Sequence, residues 1–554
     1  MANIMNLKSL RNKPSRNGFD LSFKKNFTAK AGELLPVMVK EVLPGDVFNI
    51  DLSSFTRTQP LNTAAFARMR EYYDFFFVPY ELLWNKSNTV LTQMLDNPQH
   101  AVSLVPTDNS ALRGTMPFVT CSQIADYIGS LSYASTLDST RVGRNYFGYD
   151  RAPLSCKLLE YLGYGNFTSF MTKATPKTGY WSDNPLMSNL QLNVFGLLAY
   201  QKIYADFFRD SQWEKISPST FNVDYLNGSS STNVVWNNDS DFAATQNFFD
   251  LRYCNWQKDL FHGVVPKQQY GDTAVAPVTL KTVGSTETGE LSILLLRQAE
   301  FLQKWKEIAQ SGNKDYKEQI EKHWNVSVGD YASEMCQYLG GISTNIDINE
   351  VVNTNLTSNF AADIAGKGTG VGRGSIRFDS QGKYGLLMCI YHTLPVLDYT
   401  TDSVDFAFTK INGSDYAIPE FDKLGMQGVP LANLINTNGD YNPGASSLML
   451  GYAPRYIDYK TSFDLSVGGF KKSLKSWVMS YDNKSIYSQL ASGAYTPESE
   501  DWFVTYTAFK VDPNSVDPIF AVKADSSIDT DQFLCSTFFD VKVVRNLDVD
   551  GLPY

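Results

Sequence analysis

Histidine is rare in this sequence, with four in 554 residues, and charged residues of both signs reach only 19%. The six cysteines (Cys121, Cys156, Cys254, Cys336, Cys389 and Cys535) are far apart and form no CxxC pair. That excludes a zinc-ligand spacing and the disulfide framework of a small secreted domain, and the thiols are expected to be reduced and buried. No run approaches about 18 uninterrupted apolar residues, so no segment is expected to enter a membrane. The opening "MANIMNLKSLRNKPSRNG" lacks the apolar stretch of a secretion signal, so synthesis and maturation in a cytosol are expected.

Catalytic motifs are missing as well. There is no GxSxG elbow, no HExxH and no EF-hand spacing. The glycines of "AGKGTGVGRGS" (365–375) fall on every second residue, which fits neither GxxxxGK[ST] nor GxGxxG. This stretch reads as a flexible hinge, or as a mobile loop that presents Lys367 and Arg373 to a polyanion. His262 and His392 sit in apolar company and read as structural, and no carboxylate pair stands out for glycosidase chemistry. No enzyme and no cofactor are expected.

What the sequence does have is apolar and aromatic mass, 43% hydrophobic and 14% aromatic. A large core would account for it, and so would surfaces that meet other proteins. Net charge is −10, a poor overall match for nucleic acid. The first 30 residues are the exception, with Lys8, Arg11, Lys13, Arg16, Lys24, Lys25 and Lys30 against Asp20 alone. Residues 1–18 read as a basic arm, either a solvated tail or a contact for phosphates. Phe19, Phe23 and Phe27 interleave with these lysines, and Phe23 and Phe27 fit the first strand of a β-core better.

From Phe19 to Leu52, short alternating stretches broken by Gly32, Pro36, Pro44 and Gly45 predict two or three strands. "EYYDFFFVPY" predicts a further strand with both faces apolar, hence covered on both sides, ending at Pro79. Phe75, Phe76, Phe77, Pro79, Tyr80 and Trp84 are candidate core or assembly residues. Residues 85–290 form a long insertion with one clear helix in "NVFGLLAYQKIYADFFRD". The polar run 226–247 is a candidate outer protrusion. Residues 291–554 hold a helical insertion (297–340), with "RQAEFLQKWKEIAQSG" and "KDYKEQIEKHW" as amphipathic helices, then further strands and a C-terminal extension. With 19–84 holding the first strands, the pattern predicts one interrupted antiparallel β-core.

Four segments, in order, carry a family pattern. "LNTAAFARMREYYDFFFVPYELLW" (61–84) resembles a signature stretch of the major capsid proteins of Microviridae, in their gokushovirus-like branch. "DLFHGVVPKQQYGDTAV" (260–275) resembles the family's double-proline segment, with Lys267–Gln268 where the second proline stands. "LLLRQAEFLQKWKE", "YKEQIEKHWNV" and "CQYLGGISTNIDINEVVNT" are similar to its helix, helix and Tyr-Leu-Gly-Gly sequence. "GYAPRYIDYKTSFDLSVGGF" (451–470) resembles its Pro-Arg-Tyr segment, which singles out Arg455 and Tyr456. Residues 85–250 and 485–554 carry little of the pattern.

The resemblance implies a mainly β fold, a single eight-stranded antiparallel jelly roll with long inserted loops containing helices. It implies a T=1 icosahedral shell of identical copies around circular single-stranded DNA, assembled in a bacterial cytoplasm. The implied partners are a small basic DNA-binding protein, other virion proteins and a host surface receptor. Lys8, Arg11, Lys13, Arg16, Lys24, Lys25, Lys367 and Arg373 are the candidate DNA-facing residues. The alternative reading is a jelly-roll carbohydrate-binding phage spike or adhesin, which would use the aromatics for sugar stacking.

Overall fold

The computed structural model describes residues 14–92, 115–137, 147, 149–171, 185–214, 216–227, 231–234, 248–271, 279–283, 286–290, 293–352, 364–400, 404–430, 433, 449–481 and 509–549. Nine strands build the main sheet: β1 (Asn17–Asp20), β2 (Phe23–Ala29), β3 (Leu35–Val42), β4 (Val47–Thr58), β5 (Met69–Pro79), β6 (Gln337–Val352), β7 (Ile364–Asp379), β8 (Gly385–Pro395) and β9 (Phe533–Arg545). β1 and β2 share one edge position against β9, so the sheet has eight positions, in the order β1/β2, β9, β4, β7, β6, β5, β8, β3. All pairings within it are antiparallel. The curled eight-position sheet with helices inserted between strands is a jelly-roll-like fold.

The stretch expected to hold two or three short strands holds β1 to β4. A turn with Gly45 in the left-handed region (φ +86°) links β3 to β4. β6 is a corner strand. Its residues 337–346 pair with β5, and 347–352 pair with β7. It divides the sheet into two halves, β2–β9–β4–β7 and β3–β8–β5–β6.

The halves differ in what covers them, and their sequences show it. In β8 nearly every residue is buried, in an apolar run, because both faces are covered. The same holds for the second half of β5, where Phe75, Phe76, Phe77 and Val78 are all buried. The covering layer comes from the long stretch between β5 and β6. It includes α1 (Cys121–Leu137), α2 (Arg151–Leu162) and α3 (Phe195–Ile203). Phe207 and Phe208, just after α3, pack on Phe76, and Tyr80 stacks on Phe195 at 4.6 Å. All nine residues of α3, including the polar Gln201 and Lys202, are buried. Its polar side is satisfied internally: Gln201 donates to the Phe248 and Asp250 carbonyls, and Lys202 pairs with Asp206 at 3.0 Å. β4 and β9, by contrast, alternate buried and exposed residues strictly, since one face is open.

The glycine-rich stretch read as flexible is instead the strand β7, and the reason is steric. Gly366, Gly368, Gly370, Gly372 and Gly374 all face inward at the corner. A Cβ on Gly366 would lie 2.3 Å from the Thr63 carbonyl oxygen, and one on Gly372 would lie 2.6 Å from Ser54 Oγ and Thr344 Oγ1. Side chains of β4 and β6 fill the space that β7 leaves, so alternation appears as glycine against everything else.

A charged knot fastens the insertion to the barrel. Lys157 Nζ on α2 lies 2.6 Å from Glu33 Oε2 and 2.8 Å from Asp531 Oδ2, and Lys30 Nζ lies 2.9 Å from Asp531 Oδ1. All four residues are buried. Burial works against the charge of Lys157, but Glu33 and Asp531 outweigh it and raise its pKa. Asp531 is held below the usual carboxylate range although burial pushes it up, because Lys157 and Lys30 outweigh that push.

One buried carboxyl on β5 is in the opposite situation. Burial pushes Asp74 up to about 6, opposed only by a hydrogen bond from the Tyr338 hydroxyl at 3.0 Å. His392, whose Nδ1 is 3.8 Å away, supplies no charge, because its own burial lowers it to about 3. The folded pKa exceeds the unfolded one. Asp74 therefore favours folding most below pH about 4, and that contribution falls as pH rises to about 6. Asp74→Asn is expected to stabilise the subunit at pH 7.5 by up to about 3 kcal/mol. In urea titrations the gain should shrink to nothing near pH 4; an equal gain at both pH values would refute the assignment.

Candidate functional site

Among the described residues no group of His, Cys, Asp and Glu could hold a metal ion. No described helix is long and apolar enough to cross a membrane. The six thiols are all buried. His262 is part of a packed network, with its Nδ1 2.8 Å from the Tyr399 hydroxyl and 3.2 Å from Asp259 Oδ1. The features that stand out are two open surfaces.

The first is the uncovered face of β2–β9–β4–β7. The strand registers set its side chains in rows. Arg373, Ser53, Phe538 and Lys24 form one row, and Val371, Phe55, Ser536 and Asn26 the next. Thr369, Arg57, Leu534 and Thr28 follow, with Lys367 just beyond on the β6–β7 hairpin. Phe55 and Phe538 are exposed, and the Arg57 guanidinium lies 5.0 Å from the Phe55 ring centre. None of these three rows contains a carboxylate. The acids begin one row later with Asp51 and Asp540, where Lys542 is already engaged by Asp20 and Asp540 at 2.6 and 3.0 Å. The nearest acid on the other side is Asp347 on β6, opposite Thr369.

Three candidate DNA-facing residues, Lys24, Lys367 and Arg373, thus come together on one face. Phe55, Arg57 and Phe538 join them unannounced by the sequence. Only their places at the solvent positions of strictly alternating strands could have marked them. Arg16 is exposed elsewhere, donating to the Gly45 carbonyl at 3.0 Å. Lys25 turns inward. Its ammonium donates to the Tyr161 carbonyl at 3.0 Å, and burial lowers its pKa to about 8. Lys30 lies in the buried knot. Phe27 is core, and Phe23 stacks on Phe539. Lys8, Arg11 and Lys13 lie outside the described residues, as does most of the 226–247 run.

The second surface is apolar. α4 (Ile293–Gln310) and α5 (Tyr316–Trp324) match the expected amphipathic helices, but most of their large apolar side chains are exposed. Phe301 is 67% exposed and Trp324 72%, and Leu294, Leu302, Trp305 and Tyr316 are exposed with them. A monomer would not keep such a patch. Phe75, Phe76, Phe77, Pro79, Tyr80 and Trp84, by contrast, are all buried within the subunit. Trp84 donates its indole N–H to Asn227 Oδ1. Arg455 lies with its guanidinium 5.3 Å from the ring centre of Tyr456, which adopts a left-handed conformation (φ +58°). Among the described residues, Arg455 Nε and the Tyr456 hydroxyl are buried without hydrogen-bond partners.

The family model for the capsid protein (F protein) matches residues 9–147 and 277–554. It reaches through 485–554, where motif reading finds little, and it omits 260–275, where motif reading finds a resemblance. Capsid protein VP1 of Chlamydia phage 1 is 22% identical over 97% of this chain and 95% of its own length. Capsid protein VP1 of Bdellovibrio phage phiMH2K is 33% identical over 17% of each chain. With the family model spanning both ends of the jelly-roll sheet, the chain belongs to the phage capsid protein (F protein) family and is a Microviridae-like capsid protein.

Proposed function

We propose that copies of this chain close into a T=1 icosahedral shell around a circular single-stranded DNA genome, with surface loops contacting the host. The observation that carries this reading is the cluster of large exposed apolar side chains on α4 and α5. Around the five-fold and three-fold axes of a shell, one patch meets a different patch on the next copy. Burying the Phe301–Trp305 surface there would drive association without covalent chemistry. The covered half of the barrel carries the insertions and faces outward, and the open half faces the lumen. The acidic whole leaves room for a small basic protein to neutralise packaged DNA. Assembly would occur in the bacterial cytoplasm with other virion proteins, and a host receptor would meet the inserted loops.

The test is expression of the full chain in bacteria, followed by sedimentation and negative-stain microscopy. Uniform hollow shells, or pentamers that close when other virion proteins are co-expressed, are expected. A stable elongated trimer would overturn the reading in favour of a spike. The double variant Phe301→Glu/Trp305→Glu should leave soluble subunits that sediment as monomers. Shells formed normally by that variant would remove α4 from the contact.

A further inference from the structure

We propose that the open face of β2–β9–β4–β7 is a stacking platform for single-stranded DNA, with Phe55 and Phe538 carrying bases and Lys24, Arg57, Arg373 and Lys367 carrying phosphates. This rests on the shell reading and says which surface the genome meets.

Charge selects the occupant. The chain as a whole is at −10, yet this patch gathers Lys24, Arg57 and Arg373 on three rows whose β2, β9, β4 and β7 positions hold no carboxylate, with Lys367 just beyond and Asp347 facing Thr369 at the β6 edge. A basic helper protein would be repelled there. The rings select the form of the polyanion. Phe55 and Phe538 sit on neighbouring strands, diagonal to one another across the ladder, and diagonal pairs are about 7–8 Å apart. Each ring is open to solvent, and Arg57 is already packed on one of them. Rings among cations bind single strands, because every unpaired base offers a π-face, and the binding tolerates any sequence. Duplex bases are stacked on each other and cannot use the rings. The platform is therefore expected to prefer single strands over duplex and to discriminate little among sequences.

The patch also explains why the face stays uncovered. The insertions cover β8 and the second half of β5 on both sides, while β4 and β9 keep Phe55 and Phe538 at solvent positions where a polar residue would serve a free surface better.

The test uses full-length unassembled subunits and a fluorescent oligo-dT, with a duplex of equal length as comparison. Phe55→Ala/Phe538→Ala should weaken oligo-dT binding at least about tenfold and leave the weaker duplex binding unchanged. Arg57→Gln/Arg373→Gln should weaken both and lower the slope of log affinity against log salt by about 1.4. Phe408→Ala, an exposed ring elsewhere, should change nothing. Melting curves like those of the parent will show that the variants fold. The proposal is overturned if the phenylalanine variant binds oligo-dT as the parent does, or if the parent subunit does not bind it. It is also overturned if the variants lose assembly while keeping DNA binding, since the face would then meet a second copy. Particle counts by microscopy separate the two readings. Normal shells with unchanged DNA content in both variants sink the platform alone. Subunits that bind through the platform but never form shells sink the shell reading alone.

Discussion

Replacing Lys157 by methionine is expected to cost the folded subunit about 3–5 kcal/mol. Methionine keeps the length and apolar stem of lysine, so the loss reads the charge. Without it, Glu33 and Asp531 remain in the interior, Asp531 still paired with Lys30 and Glu33 without a cationic partner among the described residues. Neither carboxylate can reach water, as all are buried. They must then be protonated or repel one another, and either cost falls on the folded state alone. The knot joins three segments remote in sequence: the loop after β2, helix α2 of the insertion, and the approach to β9. Its loss should therefore loosen the insertion from the barrel as well as lower the midpoint. Urea denaturation followed by tryptophan fluorescence and by circular dichroism will show this as a lower midpoint and non-coincident curves. Lys157→Arg should recover part of the stability. An unchanged midpoint for the methionine variant would mean that the knot contributes nothing net.

Gly366→Ala is expected to be nearly as damaging, at about 2–3 kcal/mol or more, although it adds one methyl group. The added carbon would sit 2.3 Å from a backbone oxygen, that of Thr63, and 3.0 Å from its carbonyl carbon. A side-chain tip can swing away from such a contact, but this segment is tied down. Leu61 N–H donates to the Gly366 carbonyl at 2.9 Å, and Thr63 Oγ1 donates to the Ser476 carbonyl at 2.8 Å. The strand or the loop must move, at the corner where β6 passes from one half of the sheet to the other. Gly18→Ala on β1, where a Cβ meets nothing within 4 Å, is the control and should stay within about 0.5 kcal/mol of the parent. Equal midpoints for the two variants would show that the corner yields freely.

The legible parts of this fold were those whose physics is local. Alternation in 19–52 and the turn at Gly45 announced β-structure directly, and the doubly apolar "EYYDFFFVPY" announced a strand covered on both sides. β7 was illegible because its buried positions are glycines. An apolar period is the usual mark of a buried face, and here the neighbouring strands supply the atoms while β7 supplies their absence. The basic residues split for a similar reason. Lys24 and Lys25 are adjacent in sequence and look alike. On a strand they point to opposite faces, so one reaches solvent and the other the Tyr161 carbonyl. The meeting of Lys24, Arg57, Arg373 and Phe538 depends on the register of four strands drawn from opposite ends of the chain, and no local pattern encodes that.

The place of β9 between β2 and β4 has a consequence for biosynthesis. β4 ends at Thr58 and β9 begins at Phe533, so the ribosome works for on the order of a minute between making the two sides of the slot and making the strand that fills it. Throughout that time two strands present unpaired edges, and edge pairing leads to aggregation. Any chain truncated before Phe533 lacks the strand that joins β2 to β4, so interrupted translation products cannot complete the barrel and are barred from joining a shell.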